Sequence, residues 1–88
     1  MRIHVRRTGG FAGIERCAEV DTSGRPDARA FEALAEQALA DGHRSRPAGV
    51  PDGFSYEVTV GGTTVYAADP RLTPELRELI SRVLKEGA

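Results

Sequence analysis

Two stretches of this chain carry the same apolar spacing, and that spacing limits the folds open to it. Within residues 27–41 the stripe is Phe31, Leu34, Ala35, Ala38 and Leu39. Within residues 74–86 it is Leu76, Leu79, Ile80, Val83 and Leu84. Both run i, i+3, i+4, i+7, i+8, which lines one face of an α-helix. Two one-sided helices need a shared apolar surface, and the rest of the chain has to supply it. The first helix spans about 15 residues, or roughly 22 Å. Pro26 suits its first position, where a missing N–H costs nothing, and Gly42 is placed to end it. For the second helix, Thr73 is a natural N-cap and Pro74 a natural first residue. Gly87 closes that helix, with Lys85 near its negative dipole end.

Short alternating runs provide the surface. Ile3 and Val5 alternate with Arg2, His4 and Arg6. Ala18 and Val20 share one parity, and Cys17 and Glu19 the other. Pairing Val5 with Ala18 and Ile3 with Val20 sets apolar beside apolar, with His4 opposite Glu19 and Arg2 opposite Asp21. A slip by one residue would set Ile3 against Glu19. The favoured register does place Arg7 opposite Arg16, a repulsion tolerable only near a solvated end. Thr22-Ser23-Gly24-Arg25 reads as a turn. In the third strand Phe54, Tyr56, Val58 and Val60 face one way, and Ser55, Glu57 and Thr59 the other. Gly61-Gly62 then forms a two-residue hairpin that brings Val58 to Val65 and Tyr56 to Ala67. Tyr66 falls on the wetter face beside Thr64. The order ββαββα predicts an α+β fold: a four-stranded antiparallel sheet with two helices packed on one face. The two halves agree in element order without a residue-level repeat.

Three connections remain. Residues 43–52 have no periodicity and form a loop longer than most. Asp69-Pro70-Arg71-Leu72 breaks the fourth strand. If the first helix carries the chain back along the sheet, these two segments lie beside residues 9–14, and Gly61-Gly62 lies at the far end. The long loop could instead return the chain and reverse the third strand. The first hairpin, Gly9-Gly10-Phe11-Ala12-Gly13-Ile14, is the unusual one. Its glycines supply positive φ. Phe11, however, is a large apolar side chain where hairpin tips are ordinarily polar. It either folds back into the core or is held out for a partner.

Composition narrows the function. The chain has 88 residues and reads as one domain over 1–88. A net charge of -1 gives no electrostatic case for nucleic acid or an anionic membrane. One cysteine, Cys17, allows no internal disulfide and suits a reducing compartment. The first residues lack the apolar block of a signal peptide, and no run is long enough to span a bilayer. A cytoplasmic protein, monomeric when free, is expected.

Candidate chemistry is sparse. His4 and His43 are not spaced as metal ligands, and Cys17 has no partner cysteine, so no metal or cofactor is expected. A nucleophilic Cys17 would need a base and a cleft; a semi-buried strand cysteine is the plainer reading. Cys17, His4 and Glu19 are the sole cluster an enzyme could use. Glu32, Glu36 and Asp41 read as a solvated helix face. Gly9-Gly10 opens no helix and so cradles no phosphate. Arg44 and Arg46 form a basic patch too small for nucleic acid. Tyr66 could serve a binding module that uses the open sheet face for a protein or peptide.

The opening Met1-Arg2-Ile3-His4-Val5, the first hairpin and Gly53-Phe54-Ser55-Tyr56-Glu57-Val58 together resemble the emfourin family. The likeness extends over nearly the whole chain, including Ala68-Asp69-Pro70-Arg71-Leu72, and the hairpin is its most specific part. Emfourins inhibit protealysin-like metallopeptidases of the thermolysin family. The resemblance therefore implies a bacterial protein inhibitor, not an enzyme, whose partner carries the catalytic zinc. With the apolar hairpin tip, it leads to an expected contact on Gly9, Gly10, Phe11, Ala12, Gly13 and Ile14, with Asp69, Pro70 and Arg71 beside them from the path of the chain. Thermolysin-like enzymes prefer a bulky apolar residue on the primed side, which Phe11 would match.

Overall fold

Ile3 and Val5 are fully buried in β1 (Arg2–Gly9), and β1 lies inside the sheet rather than at its edge. The computed structural model of the chain describes residues 1–9, 15–44, 53–69 and 71–88. Its other elements are β2 (Arg16–Asp21), α1 (Ala28–Asp41), β3 (Phe54–Val60), β4 (Thr63–Ala68) and α2 (Pro74–Glu86). The sheet order is β2-β1-β3-β4, and every neighbouring pair is antiparallel. The chain therefore starts in the middle, turns to one edge, and crosses over β1 through α1 to build the other half. This is the expected ββαββα fold.

Registers follow the alternation. Ile3 faces Val20, Val5 faces Ala18, Tyr56 faces Ala67 and Val58 faces Val65. These side chains form one buried cluster with Phe31, Ala35 and Ala38 of α1 and all five stripe residues of α2. Leu34 and Leu39 are only partly buried against it. α1 lies over β3 and β4, and α2 over β1 and β2, so both helices cover the same sheet face.

The helix ends differ from expectation in instructive ways. Pro26 lies in a turn before α1 rather than in its first turn, because the helix begins at Ala28. Asp27 is the N-cap residue, yet its carboxylate makes no capping bond. Gly42 ends α1 with φ of -74°, so no left-handed backbone requires it. Space does: a Cβ there would lie 2.5 Å from a methyl of Val65. At α2 the cap is as expected, with Thr73 Oγ1 accepting from the Leu76 amide at 3.2 Å. The same hydroxyl donates to Asp41 at 2.8 Å and ties the start of α2 to the end of α1.

Each outer strand has its free edge covered at one residue. His43 and Tyr66 exchange two backbone hydrogen bonds of 2.8 Å beside β4. Glu19 and Ala88 exchange two of 3.1 Å beside β2. Such short bridges interrupt edges that could otherwise template sheet growth.

The missing cap at Asp27 has a cause. Its carboxylate accepts from Arg25 at 2.9 and 3.2 Å and from Arg82 at 3.1 Å. Glu86 accepts from Arg25 at 2.6 Å and pairs with Arg82 at 3.5 Å. Both guanidinium groups stand over the buried Phe31 ring, 5.0 and 4.4 Å from its centroid. The network thus seals the seam where α1 starts and α2 ends.

Arg25, through its hydrogen bond, is the main influence holding the Asp27 carboxyl below its ordinary value of 3.8. A carboxyl depressed by folding contributes stability that is present above the unfolded value and lost as pH falls through the folded one. The urea midpoint should therefore drop as pH falls below about 4. Asp27→Asn should show a shallower acid limb than the parent. An acid limb equally steep in both would assign the loss to other depressed carboxyls, such as Glu15 and Asp21.

Candidate functional site

One end of the sheet brings together Gly9 and Asp69, two of the residues that the sequence singles out as expected contacts. Gly9 pairs with Phe54 at the end of the β1–β3 ladder. Phe54 in turn holds Asp69: the Asp69 amide donates to the Phe54 carbonyl at 2.9 Å, and the Phe54 amide donates to Asp69 Oδ2 at 3.1 Å. At the opposite end the Gly61 amide donates to the Arg2 carbonyl at 3.2 Å. Gly9 and Asp69 therefore share an end and Gly61 lies at the other, so the third strand is not reversed.

Of the expected contact residues, Gly9, Asp69 and Arg71 can be described. Gly10, Phe11, Ala12, Gly13, Ile14 and Pro70 lie outside the described residues, as do residues 45–52. Gly9 has φ of +93°, a backbone region that disfavours any Cβ. A Cβ there would also lie 2.9 Å from the Gly53 carbonyl oxygen. Glycine is thus required both by the turn of the backbone and by the closeness of β3. Asp69 is a brace, because its carboxylate is engaged by the Phe54 amide. Arg71 is exposed, and its amide donates to the Ala68 carbonyl at 3.0 Å.

Other residues at this end were not expected as contacts from the sequence. Arg6 donates to Glu15 at 2.7 Å and to Glu57 at 3.4 Å on the open sheet face. The Arg6 hydrogen bond is the main influence holding the Glu15 carboxyl below the usual carboxylate range. Glu15 follows residues 10–14 directly, so this pair anchors the chain just beyond them to the central strands. On the helix-covered face, the Arg7 guanidinium lies 4.4 Å from the centroid of Phe54. The Phe54 and Tyr56 rings are 6.3 Å apart and tilted by 52°. Burial is the main influence raising the Tyr56 phenol above its usual 10.0.

The feared repulsion between Arg7 and Arg16 is resolved by divergence. The two are register partners. Arg7 turns to Phe54, while Arg16 donates to the Leu84 carbonyl near the end of α2. Helix C-termini carry partial negative charge, which favours a cation there.

The open face departs from expectation at two places. Cys17 is exposed rather than semi-buried, because its parity turns it away from the helices on an outer strand. Its thiol donates to Glu15 at 3.7 Å. Arg2 faces Asp21 in register, yet its guanidinium reaches diagonally to Glu19 at 3.5 Å. Among the described residues, no group of three or more His, Cys, Asp or Glu side chains could hold a metal ion. No helix among them is long and apolar enough to cross a membrane.

These features define a class: an α+β protein with the flanks of two neighbouring connections braced at one sheet end. The emfourin family model matches residues 5–84 of the 88, and the chain belongs to that family. Emfourins are known as metallopeptidase inhibitors, which points to a metallopeptidase partner and away from enzymatic activity. No curated protein and no solved structure matches the chain.

Proposed function

We propose that residues 1–88 act as a single inhibitor domain against a thermolysin-like zinc metallopeptidase of the protealysin type. In this reading residues 9–14 enter the active-site cleft, and Asp69, Pro70 and Arg71 border the contact. The catalytic zinc belongs to the peptidase. The inhibitor is a bacterial, cytoplasmic protein and is monomeric when free.

The observation that carries the reading is the bracing of the chain on both sides of residues 10–14. Gly9 is fixed by the ladder to Phe54 and by the closeness of Gly53. Glu15 is fixed by Arg6, which also holds Glu57. A segment tethered between rigid ends loses less conformational entropy on binding than a free peptide does. A segment that cannot relax into the cleavable geometry also resists turnover.

Competition tests the location of the contact. Filling the cleft of a thermolysin-like peptidase with a small zinc-directed inhibitor should raise the apparent inhibition constant of this chain in proportion to occupancy. An unchanged constant, with a ternary complex on gel filtration, would put the contact outside the cleft.

A further inference from the structure

Arg7 occupies a position on β1 where the alternation calls for an apolar side chain. Ile3 and Val5, its predecessors on that parity, are fully buried. Arg7 is half-buried, and its Nε, like that of Arg6, is shielded from solvent and has no hydrogen-bond partner. Its guanidinium forms no ion pair among the described residues, whereas Arg2, Arg6, Arg25 and Arg82 all do. Leaving such a donor partly buried and unsatisfied is costly. It nevertheless has a fixed place, stacked on Phe54 at 4.4 Å. The backbone of Phe54 is held by Gly9, its ladder partner, and by Asp69, which accepts from its amide.

We infer that Arg7 is an affinity-determining contact of the inhibitor, and that it takes a carboxylate of the target peptidase. The inference rests on the reading that this end of the sheet meets the enzyme. Stacking on one face of the guanidinium leaves its two terminal Nη groups, rather than the shielded Nε, to make two parallel bonds to a carboxylate. A group already half-buried and held in place loses little further hydration and rotamer freedom on binding. Half-buried arginines are frequent energetic anchors of protein interfaces. Arg16, its register partner, is already engaged with the Leu84 carbonyl and leaves the carboxylate to Arg7.

The test measures inhibition constants for the parent, Arg7→Met and Arg7→Lys at low and high salt. All three are first checked for an unchanged circular dichroism spectrum and melting temperature. Met keeps the apolar stem over Phe54 and removes the charge. It should weaken inhibition by roughly tenfold or more, as for a charged hydrogen bond. Lys, which keeps the charge without the fork, should fall between. Added salt should weaken the parent more than Arg7→Met. A folded Arg7→Met within twofold of the parent would overturn the inference. So would a weakened Arg7→Met that keeps the parent's salt dependence, because lost packing would then account for the effect. Should Arg7→Met melt early, Arg7→Lys decides: a loss supports the fork, and parental inhibition overturns it. A parent that inhibits no thermolysin-like peptidase would instead strike the functional reading itself.

Discussion

Leu79→Ala is expected to destabilise the protein by about 2–5 kcal/mol, against less than roughly 1.5 kcal/mol for Leu34→Ala. Both leucines belong to a helical stripe with the same spacing, and from sequence they are equivalent. The structure separates them. Leu79 is fully buried and Leu34 only partly so. Truncating a buried leucine loses its transfer energy and leaves a cavity, whereas a half-exposed site can relax or admit water. Urea unfolding of each variant at neutral pH gives both numbers. Equal losses would mean that the two helical faces are buried to the same depth, contrary to the packing described.

The reason for the asymmetry was not legible in the sequence, although the stripe was. Periodicity reports which face of a helix turns inward. It does not report how the helix axis sits on a twisted sheet, which decides whether the stripe's margins are covered. Only Phe31, Ala35 and Ala38 of α1 are fully inside, while all five positions of the α2 stripe are buried. Small Ala35 and Ala38 at the buried centre fit a close approach to the sheet. The Cβ-free Gly42 against Val65 is a second sign of it. The strand registers were legible because a one-residue slip would reverse every side chain. The place of β1 within the sheet was not, since alternation is silent about which strands are neighbours.

At the candidate site the division falls elsewhere. Gly9 was legible because positive φ leaves few alternatives to glycine. Asp69 was expected beside the first hairpin from the path of the chain, and the role visible in the structure is local: it holds the Phe54 backbone. Arg7 left a trace in the sequence beyond its repulsion with Arg16. A charged residue on the Ile3–Val5 parity breaks the apolar alternation, and such a break marks either the end of the core or a function for the charge. Glu15 left none, because its pairing with Arg6 depends on a register and a side-chain reach that no local pattern encodes.

The functional prediction with the largest expected effect concerns Phe11, which the sequence places at the tip of the first hairpin. Phe11→Ala should weaken inhibition of a thermolysin-like peptidase by about 2–3 kcal/mol, or roughly 30- to 150-fold, as for a buried aromatic anchor. The chain on either side is braced by Gly9 and Glu15, independently of the Phe11 side chain. A side chain presented to the enzyme can then be removed without disturbing the sheet, and the melting temperature should stay within about a degree or two of the parent. Phe11→Asp separates presentation from a folded-back role. A presented side chain loses inhibition with melting intact, because a carboxylate cannot enter an apolar pocket unpaired. A side chain folded into the core instead destabilises the protein when charged. A folded Phe11→Ala whose inhibition constant lies within twofold of the parent would sink the loop-insertion mechanism. The contact would then be sought in residues 43–52 and 69–72.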